Sequence, residues 1–120
     1  MTDQDILDRI NAGTLTVLVN VPSVWSPSTR GWVRMSIITH QSHGSTYRFV
    51  SICHKGKKKK IALHRLVWMF ANRSLVPEGY DVDHREADKR DTIDNLRLLE
   101  SSKNRRRGKP KEQQEEELPF

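Results

Sequence analysis

The sequence has a single cysteine, Cys53, and few apolar residues. One cysteine excludes an intrachain disulfide and any zinc site built from several thiolates. Hydrophobic residues make up only 35% of the chain, and no apolar run approaches the roughly 18 residues of a membrane-spanning helix. The acidic N-terminus has no signal-peptide pattern. These absences predict a cytoplasmic protein with one modest core and no membrane partner.

Positive charge is concentrated in the second half of the chain. Residues 54–111 contain 17 basic and eight acidic residues, a net charge of +9. Residues 1–53 have four basic and three acidic residues, a net +1, and residues 112–120 have four acidic residues, a net −4. A basic segment of this density is typical of a nucleic-acid-binding surface. A solvated surface that keeps the protein soluble explains it equally well, so charge alone does not decide.

Short periodic segments separated by turns predict an α+β fold. The predicted helices span residues 3–11, 64–72 and 102–107, and the predicted strands span 14–19, 32–38, 46–53, 58–63, 80–84 and 96–99. Residues 22–31, which contain two prolines, are predicted to form a loop. Leu66, Val67 and Phe70 are the expected core positions of the second helix. We therefore expect small antiparallel hairpins followed by two short strands and a helix.

Three polar positions near the end of the chain suggest chemistry. Asp83 and His84 are adjacent, Asn95 follows His84 by 11 positions, and Asn104 follows Asn95 by nine. In the predicted strand–strand–helix unit, Asp83 and Asn104 supply two oxygen ligands for a metal ion, and His84 supplies a base. Neighbouring strand residues face opposite ways, so a local irregularity is expected if Asp83 and His84 serve one site. Oxygen ligands favour Mg²⁺ or Mn²⁺ over zinc or nickel.

The order of these elements resembles the HNH endonuclease family, a ββα-metal nuclease fold. The resemblance extends over residues 46–108 and is closest to free-standing homing-type members from bacteriophages. Its motifs are His64-Arg65-Leu66-Val67, Val82-Asp83-His84, Asn95-Leu96 and Ser102-Lys103-Asn104-Arg105. Asn104 stands where the family name expects histidine, a known variant that bears on metal preference.

The resemblance implies a role for each motif residue. His84 would be the general base that activates water, and Asp83 and Asn104 would hold Mg²⁺ or Mn²⁺ against the scissile phosphate. Asn95 would assist catalysis by bonding the backbone across the loop and orienting His84. The residues expected to contact DNA are Lys57, Lys58, Lys59, Lys60, Arg85, Arg97, Arg105, Arg106 and Arg107.

Structural roles are open for several of these positions. Asp83 could pair with Arg85, and Asn95 could be a turn residue only. His64 opens a helix and is expected to be structural. Lysines 57–60 could protect an exposed strand edge from association instead of following a phosphate backbone. Trp25 and Trp32 are expected in the core, with base stacking as the alternative.

The residues predict a metal-dependent endonuclease that hydrolyses DNA, and the resemblance implies the phage homing type. The expected location is the cytoplasm, that of the host if the protein is encoded by a phage. The alternative is a DNA-binding accessory protein with a degenerate or regulated nuclease site. No small-molecule substrate is expected, and a homodimer or a protein partner is left open as a source of specificity. We divide the chain into a candidate DNA-contacting region (1–45), the nuclease domain (46–108) and a disordered acidic tail (109–120).

Overall fold

The computed structural model describes residues 1–42, 45–86 and 90–102. Two helices and eight strands form this part of the chain: α1 (Asp3–Asn11), β1 (Thr16–Leu18), β2 (Ser23–Ser28), β3 (Gly31–Arg34), β4 (Ile38–Ser42), β5 (Ser45–His54), β6 (Lys57–Ala62), α2 (Leu63–Asn72), β7 (Tyr80–His84) and β8 (Leu96–Glu100). A 3₁₀ turn (Ile93–Asn95) precedes β8. All strand pairs are antiparallel, in sheets ordered β1-β2-β3, β4-β5-β6 and β7-β8. The predicted α+β class is confirmed.

Helix α1 begins where its sequence predicts. Thr2 and Asp5 form a capping box, in which each side chain bonds the backbone N–H of the other. This pairing satisfies donors that have no partner inside the helix. Ile6 and Ile10 lie one turn apart on the buried face, so the polar side of α1 faces water and the apolar side faces the core.

One hydrophobic core joins the first half of the chain to the second. Its fully buried members include Ile6 of α1, Val24 of β2, Val50 and Ile52 of β5, and Leu66 of α2. Polar contacts tie the same halves together, because Asp3 accepts hydrogen bonds from Arg65 at 2.8 and 3.1 Å. The described residues of β5 and α2 therefore pack against α1 and β2.

A two-residue turn connects β5 to β6. Lys55 and Gly56 both have positive φ, 51° and 80°, and His54 pairs with Lys57 across the turn. Two successive positive φ values belong to the type I′ turn, whose twist matches that of a hairpin and which favours glycine. The turn sets the register of the hairpin and hence the face on which each lysine lies.

The loop predicted for residues 22–31 was wrong, because β2 occupies most of it. The two prolines obscured the strand, yet Pro27 pairs only with Trp32 of β3, while β1 pairs with β2 no further than Trp25. On the side of β1, Pro27 is therefore at a free edge, where the missing N–H removes no ladder bond. The predicted strand 32–38 is also wrong: it divides into β3 and the start of β4.

Three predicted core positions are less buried in the structure than expected. Met69 of α2 is fully buried, whereas Phe70 is only half-buried and has the Arg73 guanidinium 4.2 Å from its ring centroid. Trp32 is 49% exposed on β3, and Trp25 is half-buried. The apolar arc of α2 is wider than its buried face, so periodicity alone does not show which of its apolar residues lie in the core. Neither α1 nor α2 is long and apolar enough to cross a bilayer, and the described residues contain no other candidate.

Candidate functional site

The hairpin of β7 and β8 carries two of the predicted site residues at its open end. Asp83 pairs with Arg97 and His84 pairs with Leu96 in a regular ladder. The irregularity expected at this point is not present, so the two side chains leave β7 on opposite faces. His84 shares its face with buried Val82, towards the side of β7 that α2 contacts.

His84 is bonded to an acidic residue of the loop that follows it. Its Nε2 atom lies 2.7 Å from Oδ1 of Asp91. Asp91 is 4% exposed, and its other oxygen accepts a hydrogen bond from Arg48 at 2.8 Å. Burial works to raise the pKa of Asp91, but the bonds from His84 and Arg48 outweigh burial and lower that pKa below its ordinary value. Asp91 is therefore ionised at neutral pH and acts as an acceptor.

A second histidine completes this cluster. The imidazole of His64, near the start of α2, has its centroid 4.8 Å from that of His84. Its Nδ1 atom lies 4.0 Å from Asp91 Oδ1, and its side chain is only 20% exposed. Burial lowers the pKa of His64 to about 4, and the neighbouring His84 adds to the effect. His64 is consequently neutral at pH 7 and brings no second positive charge to the site.

Asn95 fixes the loop that carries Asp91. It is almost fully buried, and its Oδ1 atom accepts a hydrogen bond from the N–H of Glu86 at 3.0 Å. Its Nδ2 atom donates to the carbonyl of Arg90 at 2.9 Å, and its own carbonyl accepts from the N–H of Arg85 at 2.7 Å. One side chain therefore bonds both ends of the loop between β7 and the 3₁₀ turn, next to both His84 and Asp91.

Asp83 forms an ion pair across the hairpin. Arg97 donates from Nε and Nη2 to Oδ2 of Asp83, at 3.2 and 3.1 Å. Asp83 is therefore paired with Arg97, which was expected to contact DNA, and not with Arg85. The Nε atom of Arg85 donates instead to the carbonyl of Leu96. The paired carboxylate of Asp83 is still partly accessible to solvent, since its side chain is 17% exposed.

The lysines predicted to contact DNA lie in different environments. Lys57, Lys58 and Lys60 are exposed on β6, whereas Lys59 forms an ion pair with Asp3 at 3.0 Å. The remaining predicted residues, Asn104 and Arg105–Arg107, lie outside the described residues. Ser101 and Ser102 are helical, and the Ser101 hydroxyl donates a hydrogen bond to Asp81 at 3.1 Å.

Sequence reasoning did not find Asp91 and Arg48. Asp91 is one of several acidic residues in a polar connection, and no local pattern separates it from Glu86, Asp88 or Asp94. Arg48 lies 43 positions before Asp91 and belongs to another sheet. His64 stands in a motif that was recognised, but its place beside His84 depends on how α2 packs against β7. Two of these residues, Arg48 and Asp91, also border a cavity of about 520 Å³.

Comparison with known proteins supports a nuclease assignment for this region. Residues 62–106 match the HNH endonuclease family. The match includes α2, β7, β8 and all three members of the His64–His84–Asp91 cluster, and it leaves β5 and most of β6 outside. No curated protein and no solved structure matches the chain. The segment at 62–106, with His84 and its supporting loop inside it, is thus the part of the chain that is similar to the HNH endonuclease family.

Proposed function

We propose that the chain is a metal-dependent endonuclease that hydrolyses DNA phosphodiester bonds. The observation that carries this proposal is the 2.7 Å contact between His84 Nε2 and Asp91 Oδ1, at the end of a strand in which Asp83 precedes His84. A fixed imidazole beside a carboxylate provides a base and a metal ligand, which metal-assisted hydrolysis of a phosphodiester requires. The net charge of +9 over residues 54–111 suits a polyanionic substrate.

His84 acts as the general base. The ionised Asp91 carboxylate can only accept hydrogen bonds, so Nε2 of the neutral His84 ring carries the proton. Nδ1 then has the lone pair, and it is the atom that removes a proton from the attacking water. Arg48 keeps Asp91 ionised and in place, and Asn95 holds the loop, so the imidazole keeps one tautomer and one orientation.

Asp83 and Asn104 are the proposed ligands of Mg²⁺ or Mn²⁺. The donor set fits such an ion, because a carboxylate and an amide oxygen are the donors that hard divalent cations prefer. The bound ion would neutralise charge on a phosphate oxygen and on the leaving 3′-oxygen. In-line displacement places the attacking water and the leaving oxygen on opposite sides of phosphorus. Because Asp83 and His84 leave β7 on opposite faces, the proposed position of the phosphate is beyond the end of the strand, where both side chains can approach it.

The His64–His84–Asp91 cluster is a second set of possible metal ligands, whose donor atoms lie within 4.8 Å of one another. An ion bound there would occupy the His84 nitrogen and displace its hydrogen bond to Asp91. We therefore assign this cluster to the base and its support.

The cleavage target is proposed to be a defined DNA sequence, as in homing-type endonucleases of bacteriophages. The exposed lysines of β6, Arg85 and the arginines at 105–107 would follow the phosphate backbone, which carries no sequence information. Mapping the cut positions on plasmid DNA tests this part of the proposal. A few discrete positions support it, and random fragmentation contradicts it.

A plasmid-cleavage assay tests the activity itself. Wild-type protein should nick or linearise supercoiled DNA with Mg²⁺ or Mn²⁺ and stop when the ion is chelated. His84→Ala should lose about 10²-fold or more of the rate yet bind DNA nearly as well, because a base acts in the chemical step. His54→Ala is the control, since His54 lies at the end of β5, outside the site.

A DNA-binding accessory protein is the competing function. It predicts normal DNA affinity with no cleavage in any divalent ion. An RNA substrate in the same assay decides between DNA and RNA as the substrate.

Calorimetric titration of Mn²⁺ into Asp83→Ala and Asn104→Ala tests the proposed metal ligands. If both variants bind the metal as the wild type does, the ion is held by other residues.

A further inference from the structure

The register of the sheet β4-β5-β6 assigns its side chains to two faces. Residues paired across antiparallel strands share a face, and alternate residues along a strand change face. Val50 pairs with Ile61 and both are buried, so this face lies on the core. The other face contains Phe49, which pairs with Ile38 on one side and Ala62 on the other.

The outward face combines aromatic rings with positive charge. Tyr47 is 41% exposed, and its ring centroid lies 6.4 Å from that of Phe49. Lys58 and Lys60 are exposed on the same face, and the Lys60 ammonium lies 5.2 Å from the Phe49 centroid. In the described part of the chain, no strand residue on this face of the sheet is acidic. The face therefore offers apolar ring surfaces beside cations.

We propose that this outward face binds single-stranded nucleic acid, with bases stacking on Tyr47 and Phe49 and phosphates meeting Lys58 and Lys60. Base–aromatic stacking beside a basic surface is how proteins bind single strands without reading their sequence. The proposal does not rest on the catalytic assignment, because binding needs neither His84 nor a metal ion. Only Lys58 and Lys60 are assigned to this binding face, since Lys57 and Lys59 belong to the opposite face of the sheet.

The geometry favours a single strand over a duplex. Stacked bases are about 3.4 Å apart along a strand, so rings 6.4 Å apart require successive bases to separate from each other. A single strand allows that separation, but a base pair inside a duplex does not. A three-stranded face is also about 10 Å across before its side chains are counted. The major groove, about 12 Å wide, accepts a helix or a two-stranded ribbon.

Fluorescence anisotropy in the presence of a chelator tests the proposal without cleavage. The probes are a labelled oligothymidylate of about 15 nucleotides and an abasic strand of equal length. Wild-type protein should prefer the strand that has bases. The double variant Tyr47→Ala with Phe49→Leu should bind oligothymidylate about five-fold to one hundred-fold more weakly. Its affinity for the abasic strand should equal that of the wild type. Leucine maintains the apolar volume of the half-buried Phe49, and circular dichroism verifies the fold.

Matched variants test the lysines and the choice of aromatic residues. Lys58→Gln with Lys60→Gln should weaken both strands alike and lower the slope of log affinity against log salt by about 1.4. Lys55→Gln with Lys57→Gln removes the same charge from the same hairpin and should have a smaller effect. Trp32→Ala, an exposed aromatic of another sheet, should retain the preference for bases.

Three outcomes would overturn the proposal. The first is wild-type protein that binds the abasic strand as tightly as oligothymidylate. The second is that Trp32→Ala loses the preference for oligothymidylate over the abasic strand while the Tyr47 and Phe49 double variant retains it. The third is a wild-type dimer that this variant converts to a monomer with unchanged oligothymidylate affinity, which would make the face a contact between copies of the chain.

Discussion

At the scale of single residues, the site depends on an aspartate that holds a histidine. Asp91 lies between His84 and Arg48, bonding each through a different oxygen at 2.7 and 2.8 Å. The imidazole is therefore oriented before any substrate arrives, which reduces the reorganisation needed in the chemical step. His64, on α2, lies against the pair, with its ring centroid 4.8 Å from that of His84.

Replacing Asp91 with asparagine should impair catalysis more than binding. The amide lacks the charge that retains the proton on His84 Nε2, so the ring loses its preferred tautomer. We expect kcat to fall by about 10- to 100-fold, short of the loss in His84→Ala, with DNA affinity nearly unchanged. Single-turnover cleavage and binding in a chelator measure the two quantities. Asp94→Asn, an exposed residue of the same connection, is the control, and equal losses in both variants would contradict the role of Asp91.

His64 should make the fold sensitive to acid. Its pKa in the folded state is lowered to about 4 from 6.5, so the unfolded chain binds the proton more readily. The stability that this difference provides is complete above pH 6.5 and is lost as the pH falls towards 4. At pH 5 the free energy of unfolding is lower by about 2 kcal/mol because of this residue. Urea unfolding at pH 7 and 5 should show a smaller decrease for His64→Gln than for the wild type. An equal decrease would mean that His64 does not titrate as described.

At the scale of elements, one buried amide joins the two ends of the connection between β7 and the 3₁₀ turn. Asn95 bonds the backbone at Glu86 and at Arg90. A buried amide that both donates and accepts can connect the two ends of a loop, whereas a carboxylate of the same shape can only accept. This connection positions Asp91 beside His84, so a change at Asn95 should also affect catalysis.

Asn95→Asp should therefore destabilise the protein although it preserves the size of the side chain. The Arg90 carbonyl would lose its donor and face a second acceptor, at a cost of about 1–3 kcal/mol. We also expect slower cleavage, because Asp91 would no longer be held against His84. Denaturant unfolding and cleavage rates are the measurements. Asn72→Asp is the comparison, since Asn72 donates to the carbonyl of Trp68 in an exposed position.

At the scale of the whole molecule, the core is shared between the segment matched to the nuclease family and the residues before it. Ile6 and Val24 pack in the same cluster as Leu66 and Val82. Arg9 donates from Nη1 to the carbonyl of Cys53 at 2.7 Å, a further link between the halves. The two parts of the chain divided at residue 45 would thus differ in function but fold together as one unit.

A single substitution in α1 tests that conclusion. Ile6→Ala removes a fully buried side chain and should cost about 2–5 kcal/mol. Far-ultraviolet circular dichroism and the fluorescence of a variant that has Trp68 as its sole tryptophan should report one coincident transition at a lower denaturant concentration. Separate transitions would show that α1 and α2 belong to independently folding units. Leu18→Ala, on the exposed end of β1, is the control.

Local patterns in the sequence were sufficient for much of the fold. The spacing of Ile6 and Ile10, the acidic residues before them, and the short runs on either side of Gly56 act over a few positions, as helices and hairpin turns do. The Asp83-His84 pair was placed on a strand for the same reason. The strand β2 was missed because the effect of Pro27 depends on which strands are its neighbours, and that is not a local property.

Tertiary structure alone decided which residues converge and which face each lysine occupies. Asp91 contacts Arg48 across 43 positions and His84 across seven, and no periodicity connects residues at such separations. Lys57 to Lys60 form one uniform run in the sequence, yet Lys59 pairs with Asp3 while Lys58 and Lys60 face outward. The sequence determines the residue types available for chemistry and the strands or helices that carry them. Packing and register determine which of them meet, because both depend on contacts between distant parts of the chain.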